Sequence, residues 1–279
     1  MFAASKWSNR SDWKVCLSSQ CSADLLHWVV EQTKTWSGPM SVAVFAPDVD
    51  YTIASVMIQY MTVCFPRIKE QVSFHIIYPG AMPSKLMHTE VLDFDCERPE
   101  EVNNELIRMI RTKELKKMLK AARYPQNLLR NIGRQGCQAD FCFTPDIDML
   151  SLPLFAHNIN QFLSQPEVHT CKRCSFIIPT YEISTDASRF PENKSELISY
   201  IKNKQARIFH IKVYSNNQAN SNLSYWESHV SNGSQYLSIA YNITTWKLFW
   251  EPIYISKSNV PAFDERFIGY GYTRNSQVR

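Results

Sequence analysis

The chain has 279 residues, 44% of them apolar and 20% charged, and a formal net charge of +4. A chain this long buries roughly three quarters of its unfolded surface, as one large α/β domain or two small ones, and the composition excludes a disordered polymer. The positive charge is scattered, apart from a basic cluster over Arg111–Lys120 that reads as the wet face of a helix, and this argues against nucleic-acid binding.

In chain order, Trp13–Ser18 is a short apolar run expected as a strand, and Ala23–Thr33 has apolar residues at helical spacing. Ser41–Ala46 is β-rich behind Gly38-Pro39; Tyr51–Val63 reads as a helix; Val72–Tyr78 is a second β-rich run stopped by Pro79-Gly80. Pro99–Lys120 is a long helical stretch with a break expected near Thr112. Pro125 opens another helix to about Arg134, and Ala139–Thr144 is a third β run ending in Pro145-Asp146-Ile147-Asp148. The alternation predicts a mainly parallel sheet with helices on both faces, with its ligand crevice beyond the carboxyl ends of the strands.

The second half is less regular. Phe176–Ile183 is expected as a strand, Lys194–Lys204 as a helix, and Arg207–Tyr214 and Ile253–Ile255 as β-prone segments, among many aromatics (Tyr225, Trp226, Tyr236, Tyr241, Trp246, Trp250, Tyr254). With no repeat or linker in evidence, one domain over 1–279 is expected, its halves being about 14–150 and 151–279.

Asp146 and Asp148 stand two apart, so in an extended segment both face one way. Converging carboxylates repel unless a cation lies between them, and hard oxygen ligands suit Mg²⁺ or Mn²⁺, which can bridge two phosphate oxygens. The alternative is a turn with two solvated aspartates. A haloacid-dehalogenase-type phosphatase also carries Asp-x-Asp, but early in its domain and usually followed by Thr or Val, where this chain has Met149 after a long lead.

On the helix behind Pro125, Asn127, Arg130 and Asn131 share a face that Arg134 continues. Beside the aspartates, that face can hold phosphate; alternatively it is solvated or pairs with structural carboxylates. Asp264 and Glu265 look like an N-cap and first helical turn; a carboxylate there can take a proton from a sugar hydroxyl, or equally be a cap and nothing more. Cys171-Lys172-Arg173-Cys174 has only His169 nearby as a further zinc ligand, so a disulfide elsewhere or a buried thiol is expected rather than zinc or redox chemistry.

Five Asn-x-Ser/Thr sequons, at Asn9, Asn193, Asn222, Asn232 and Asn242, support a secretory history, and the last three mark an exposed polar region. The eight cysteines are compatible with either redox compartment. No apolar run reaches the ~18 residues of a membrane span, and Met1–Asn9 lacks a signal-peptide core.

Several segments in order resemble glycosyltransferase family 49. They are residues 36–45 (Trp-Ser-Gly-Pro-Met-Ser-Val-Ala-Val-Phe), 124–131 (Tyr-Pro-Gln-Asn-Leu-Leu-Arg-Asn), 143–149 (Phe-Thr-Pro-Asp-Ile-Asp-Met), Trp250-Glu251-Pro252 and 263–271 (Phe-Asp-Glu-Arg-Phe-Ile-Gly-Tyr-Gly). The likeness runs from about Lys14 to the end. It implies a GT-A fold, Mn²⁺ dependence, UDP-glucuronate as donor, inversion at the anomeric carbon, a xylose-containing acceptor glycan of the O-mannosyl type, and a place in the Golgi beside other glycosyltransferases.

By the same resemblance, Asp146 and Asp148 match the metal motif, and Asp264 and Glu265 an acidic motif for acceptor binding or the catalytic base. Relatives are expected to carry an N-terminal anchor, and to continue past Arg279 with a His resembling a third metal ligand. The chain is accordingly read as truncated, and a non-catalytic relative that binds glycan or assists a partner enzyme is the alternative. Cys16 stands where relatives tend to have a small or hydroxyl residue.

Overall fold

A computed structural model describes Ala4 and residues 12–87, 95–171, 173–229, 237–269 and 273–276. The first half builds strands β1 (Val15–Ser22), β2 (Met40–Phe45), β3 (Val72–Ile77) and β4 (Phe141–Phe143). Between them lie helices α1 (Trp28–Thr35), α2 (Asp50–Cys64), α3 (Pro66–Gln71), α4 (Pro99–Ile110), α5 (Lys113–Ala121) and α6 (Gln126–Gln135). The second half adds α7 (Phe155–Leu163), α8 (Pro166–Thr170), β5 (Ser175–Ile178), β6 (Tyr181–Ile183), α9 (Lys194–Lys202), β7 (Ala206–Ile208), α10 (Leu223–Ser228) and β8 (Ile253–Lys257).

The main sheet has six strands in the order β3-β2-β1-β4-β8-β5. Pairings among the first four are parallel, while β8 runs antiparallel to both β4 and β5. Strands β6 and β7 form a separate antiparallel pair. This is the mainly parallel α/β arrangement that the alternating pattern predicts.

Both faces of the parallel strands are covered, which is why β2 is buried at every position and shows no polar alternation. Val42 and Val44 join the large core with Ile53, Met57 and Met61 of α2. Ala43 and Phe45, pointing the other way, meet Leu129 of α6. Helix α6 lies unusually close to the sheet. A Cβ on Gly133 would stand 2.7 Å from Ser18 Oγ and 3.0 Å from the Ser19 carbonyl, and one on Gly136 would collide with Ser41 and His75. Glycine at both positions lets the helix backbone rest on β1 and β2.

Several expectations are corrected. Residues 23–33 are not one helix: a 3₁₀ turn over Ala23–Leu25 precedes α1. Residues 176–183 are split at Pro179-Thr180 between two sheets, because proline ends the ladder of β5. Beyond Ile208, residues expected to be β-prone form turns, with His210 at φ 58°. The break near Thr112 is real, and its hydroxyl accepts the amide of Leu115 at 3.2 Å to start α5.

Three disulfides close: Cys16–Cys137, Cys64–Cys96 and Cys171–Cys174. The first explains Cys16, which ties β1 to the end of α6. The last corrects the expectation of a bridge elsewhere, since the turn after α8 brings the two Cα atoms to 5.7 Å, within bridging range. No helix among the described residues is long and apolar enough to cross a membrane.

Candidate active site

In the order 3-2-1-4 the chain reverses direction across the sheet between β1 and β4, and ligand crevices form outside the carboxyl ends of the strands at such a point. The end of β1 supplies Ser19 and Gln20; the segment leaving β4 supplies Asp146-Ile147-Asp148. Ser19 Oγ donates to the Pro145 carbonyl at 3.0 Å. From the other side, the buried Gln32 of α1 donates to the carbonyls of Ile147 and Met149 at 3.0 and 2.7 Å. Ile147 is buried in the core, while Asp146 is half-buried and Asp148 exposed. Residues 146–149 do not form the extended pair expected: Ile147 and Asp148 lie in a turn closed by the Met149 N–H on the Asp146 carbonyl at 3.0 Å, and neither carboxylate is buried with Ile147 in the core.

The donors around Asp146 converge on one oxygen. Arg274 Nη2 donates to Oδ1 at 2.8 Å, and Arg130 Nη2 and Gln20 Nε2 each lie 3.5 Å from it. Among the described residues, Oδ2 accepts none of these bonds. Burial pushes the Asp146 carboxyl up, but Arg274 and Arg130 outweigh it and hold it below its ordinary value. Asp148 is pushed up by burial and by the charge of Asp146, against a smaller opposing effect from His210. Arg130, buried beside the like charge of Arg274, is pulled down to about 10.

Arg274 is itself anchored. Its Nη1 donates to the Thr144 carbonyl at 2.8 Å, and its backbone N–H to Glu251 Oε1 at 3.1 Å. Tyr124, edge-on to Phe45, donates its hydroxyl to Gln20 Oε1 and so steadies the amide next to Asp146.

The polar face of α6 exists, with Asn127, Arg130, Asn131 and Arg134 all buried. Its groups, read as a donor-binding face, are largely engaged by the chain itself. Asn127 donates to the carbonyls of Asp264 and Thr273 at 2.9 and 3.2 Å. Asn131 exchanges two bonds of 2.9 Å with the backbone of Phe263 and donates to Glu265 Oε1 at 2.8 Å. Arg134 donates to the carbonyls of Pro261, Val260 and Ser258. Both guanidiniums lie over the Phe263 ring, at 5.5 and 5.7 Å. The face is therefore a clasp for residues 258–265 and Thr273, and of the four only Arg130 reaches the aspartates. Apolar spacing cannot separate a clasp from a ligand face, since both need polar groups on one helix stripe.

Asp264 and Glu265 begin no helix. Arg266 donates to the Asp264 carboxylate through its backbone N–H at 3.0 Å and through its guanidinium at 2.6 Å, closing a turn. Those bonds hold the Asp264 carboxyl down at about 2. Glu265 is exposed and held by Asn131. Tyr270 and Gly271 of the same motif lie outside the described residues. Arg274, Gln20 and Gln32 carry no local signal in the sequence that marks them as site residues; folding alone brings Arg274 and Gln20 to Asp146, and Gln32 to the backbone carbonyls of Ile147 and Met149.

An α/β protein with a pair of aspartates at the switch point of its sheet is the class that fold and site define. The family model described as "Glycosyl-transferase for dystroglycan" matches residues 14–279, and the chain belongs to that family, with the mainly parallel sheet of the GT-A type. It is 29% identical over 270 residues to beta-1,4-glucuronyltransferase 1 of Bos taurus and of Homo sapiens, covering 95% of this chain and 62% of each relative. Xylosyl- and glucuronyltransferase LARGE2s of Gallus gallus is 22% identical over 265 residues, covering 95% of this chain and 29% of the relative. The chain thus spans about three fifths of the glucuronyltransferases it matches and under a third of the larger protein.

Proposed function

We propose that this chain is the catalytic domain of a metal-dependent, inverting glycosyltransferase that moves glucuronate from UDP-glucuronate to a xylose-containing glycan. The observation carrying this reading is the Asp146–Asp148 pair at the switch point, with Oδ1 of Asp146 restrained by two arginines while no hydrogen bond or ion pair among the described residues reaches Oδ2. The names of the relatives support the donor class.

The donor set fits a hard divalent cation. Among the described residues no third His, Cys, Asp or Glu joins the pair, so diphosphate oxygens and water would complete the coordination, as is usual for ions of this type. When bound, Mn²⁺ would neutralise charge on the departing diphosphate. Asp146 and Asp148 would hold it, while Arg130 and Arg274 fix the Asp146 carboxylate and would add positive charge beside the leaving group.

Inversion needs one displacement. The acceptor oxygen bonds to the anomeric carbon, the bond from that carbon to the diphosphate oxygen breaks, and UDP leaves with the electron pair. Glu265 takes the hydroxyl proton. Asp264, held near 2 by Arg266, is a weak base and serves to bind and orient the acceptor. The three disulfides suit an oxidising lumen, and the Golgi is the proposed compartment.

Asp148→Asn tests the clamp. Mn²⁺-dependent UDP binding, followed by calorimetry, is expected to vanish, and unchanged affinity would overturn the assignment. Transfer from UDP-glucuronate to a β-xyloside then separates the enzyme from a non-catalytic glycan-binding relative, which shows no turnover.

A further inference from the structure

The structure contains an apolar surface that the proposed chemistry does not use. Residues 237–248 run without regular secondary structure, and they expose Ile239 (56%), Trp246 (43%) and Leu248 (56%). The segment is laid against the start of α10. Asn220 Nδ2 donates to the Thr245 carbonyl at 2.5 Å, Tyr241 donates to the Asn222 carbonyl at 3.2 Å, and the Tyr241 ring meets exposed Tyr225 edge-on at 5.2 Å. Three exposed large apolar side chains on one twelve-residue segment, with the exposed Tyr225 ring against that segment at Tyr241, are more apolar surface than singly scattered residues present, and they call for something that covers them.

Two sequons lie on this surface, Asn222-Leu223-Ser224 and Asn242-Ile243-Thr244. Both asparagines are exposed. Neither side-chain amide is hydrogen-bonded to another described residue, and Asn222 caps α10 from a left-handed conformation (φ 40°) without using its side chain. Asn193 differs, because its Oδ1 accepts the Glu196 amide at 3.0 Å to cap α9. The sequons at Asn9 and Asn232 lie outside the described residues. Three closed disulfides independently indicate folding in an oxidising lumen, where N-glycosylation takes place.

The geometry points to N-linked glycans on Asn222 and Asn242 that cover the apolar face of residues 237–248. In the modification, each amide nitrogen attacks C1 of the N-acetylglucosamine end of a lipid-diphosphate-linked oligosaccharide. The N–C1 bond forms, the bond from C1 to the diphosphate oxygen breaks with its electrons leaving on the lipid diphosphate, and the amide nitrogen loses one proton. The polar hydroxyls of the sugars then face water, while their apolar ring faces lie on Trp246, Tyr225 and Ile239.

The test uses the full chain, routed through the secretory pathway of insect cells and purified with its disulfides closed. Peptide N-glycanase in ¹⁸O-water converts each glycosylated asparagine to ¹⁸O-labelled aspartate, read by peptide mass spectrometry. Label at 222 and 242 is expected, and its absence from both overturns the assignment. In an Asn222→Gln/Asn242→Gln variant, binding of an anilinonaphthalene dye should rise about twofold or more as the apolar surface opens. Enzymatic removal of the glycans from the folded native protein should give the same rise, which keeps the test decisive if the variant folds poorly. Unchanged dye binding by deglycosylated monomer overturns the covering role. A deglycosylated protein that dimerises without added dye binding assigns this face to a second copy, and overturns it equally.

Discussion

If the polar face of α6 is a clasp, Asn131 is the place to break it. The substitution Asn131→Leu keeps the branching and the heavy-atom count of the side chain and removes both 2.9 Å bonds to the Phe263 backbone and the 2.8 Å bond to Glu265. Phe263 is 2% exposed, so its N–H and C=O lose their partners in a buried setting. Each orphaned group costs about 1–3 kcal/mol, and burial of the apolar leucine side chain offsets part of that, which leaves a net loss of about 3 kcal/mol. The exposed end of the Glu265 bond adds nothing to this sum, because water replaces it. At about 2–4 °C per kcal/mol for a chain of this size, Tm should fall by about 6–12 °C in calorimetry. UDP affinity with saturating Mn²⁺, measured well below that Tm, should change far less than stability does. A Tm within about 2 °C of wild type, combined with a large loss of nucleotide affinity, would refute the clasp and restore Asn131 as a donor-binding residue.

Three further outcomes are expected. Arg111→Met strands Asp50, which is 2% exposed and held by two bonds of 2.7 Å, at a cost of about 3–5 kcal/mol in denaturant titration near neutral pH. Burial already pushes the Asp50 carboxyl up against the pull of Arg111; with its partner gone, its folded pKa exceeds the unfolded one, so the deficit should shrink as pH falls toward that unfolded value, and a pH-independent deficit would contradict this. Arg266→Gln should return the Asp264 carboxyl from about 2 toward its ordinary 3.8 in a carbon-detected NMR titration. Because that pKa is depressed in the folded chain, the contribution of the Asp264–Arg266 pair is present above the unfolded value and lost as pH falls through about 2. Replacing both Cys16 and Cys137 by alanine opens a loop spanning 121 positions and should cost about 4–5 kcal/mol, while losing the Cys171–Cys174 bridge, which spans three, should cost much less in the same denaturation assay.

The sequence by itself determined the parallel half of the sheet. Residues 41–46, 72–78 and 139–144 are β-branched or aromatic runs between turn residues, and parallel strands covered on both faces keep that continuous apolar character whatever packs on them. The Asp-x-Asp spacing, by contrast, did not decide how Asp146 and Asp148 point, because residues 146–149 close a turn instead of continuing the strand. The break at Thr112 was legible because a cap acts within one turn of chain.

Tertiary structure decided the rest, since the deciding partners are far apart in sequence. Arg274 meets Asp146 across 128 positions, and Asn131 meets Phe263 across 132. No local pattern encodes those distances, so the amide and guanidinium stripe of α6 reads equally well as a phosphate cradle or as a clasp until carbonyls of residues 258–264 and of Thr273 come to lie on it. The same holds for Asp264 and Glu265. In the sequence they pass for a helix start, and only the turn closed by Arg266, together with the hold of Asn131, separates a carboxylate bound by a neighbouring guanidinium from one bound by a buried amide.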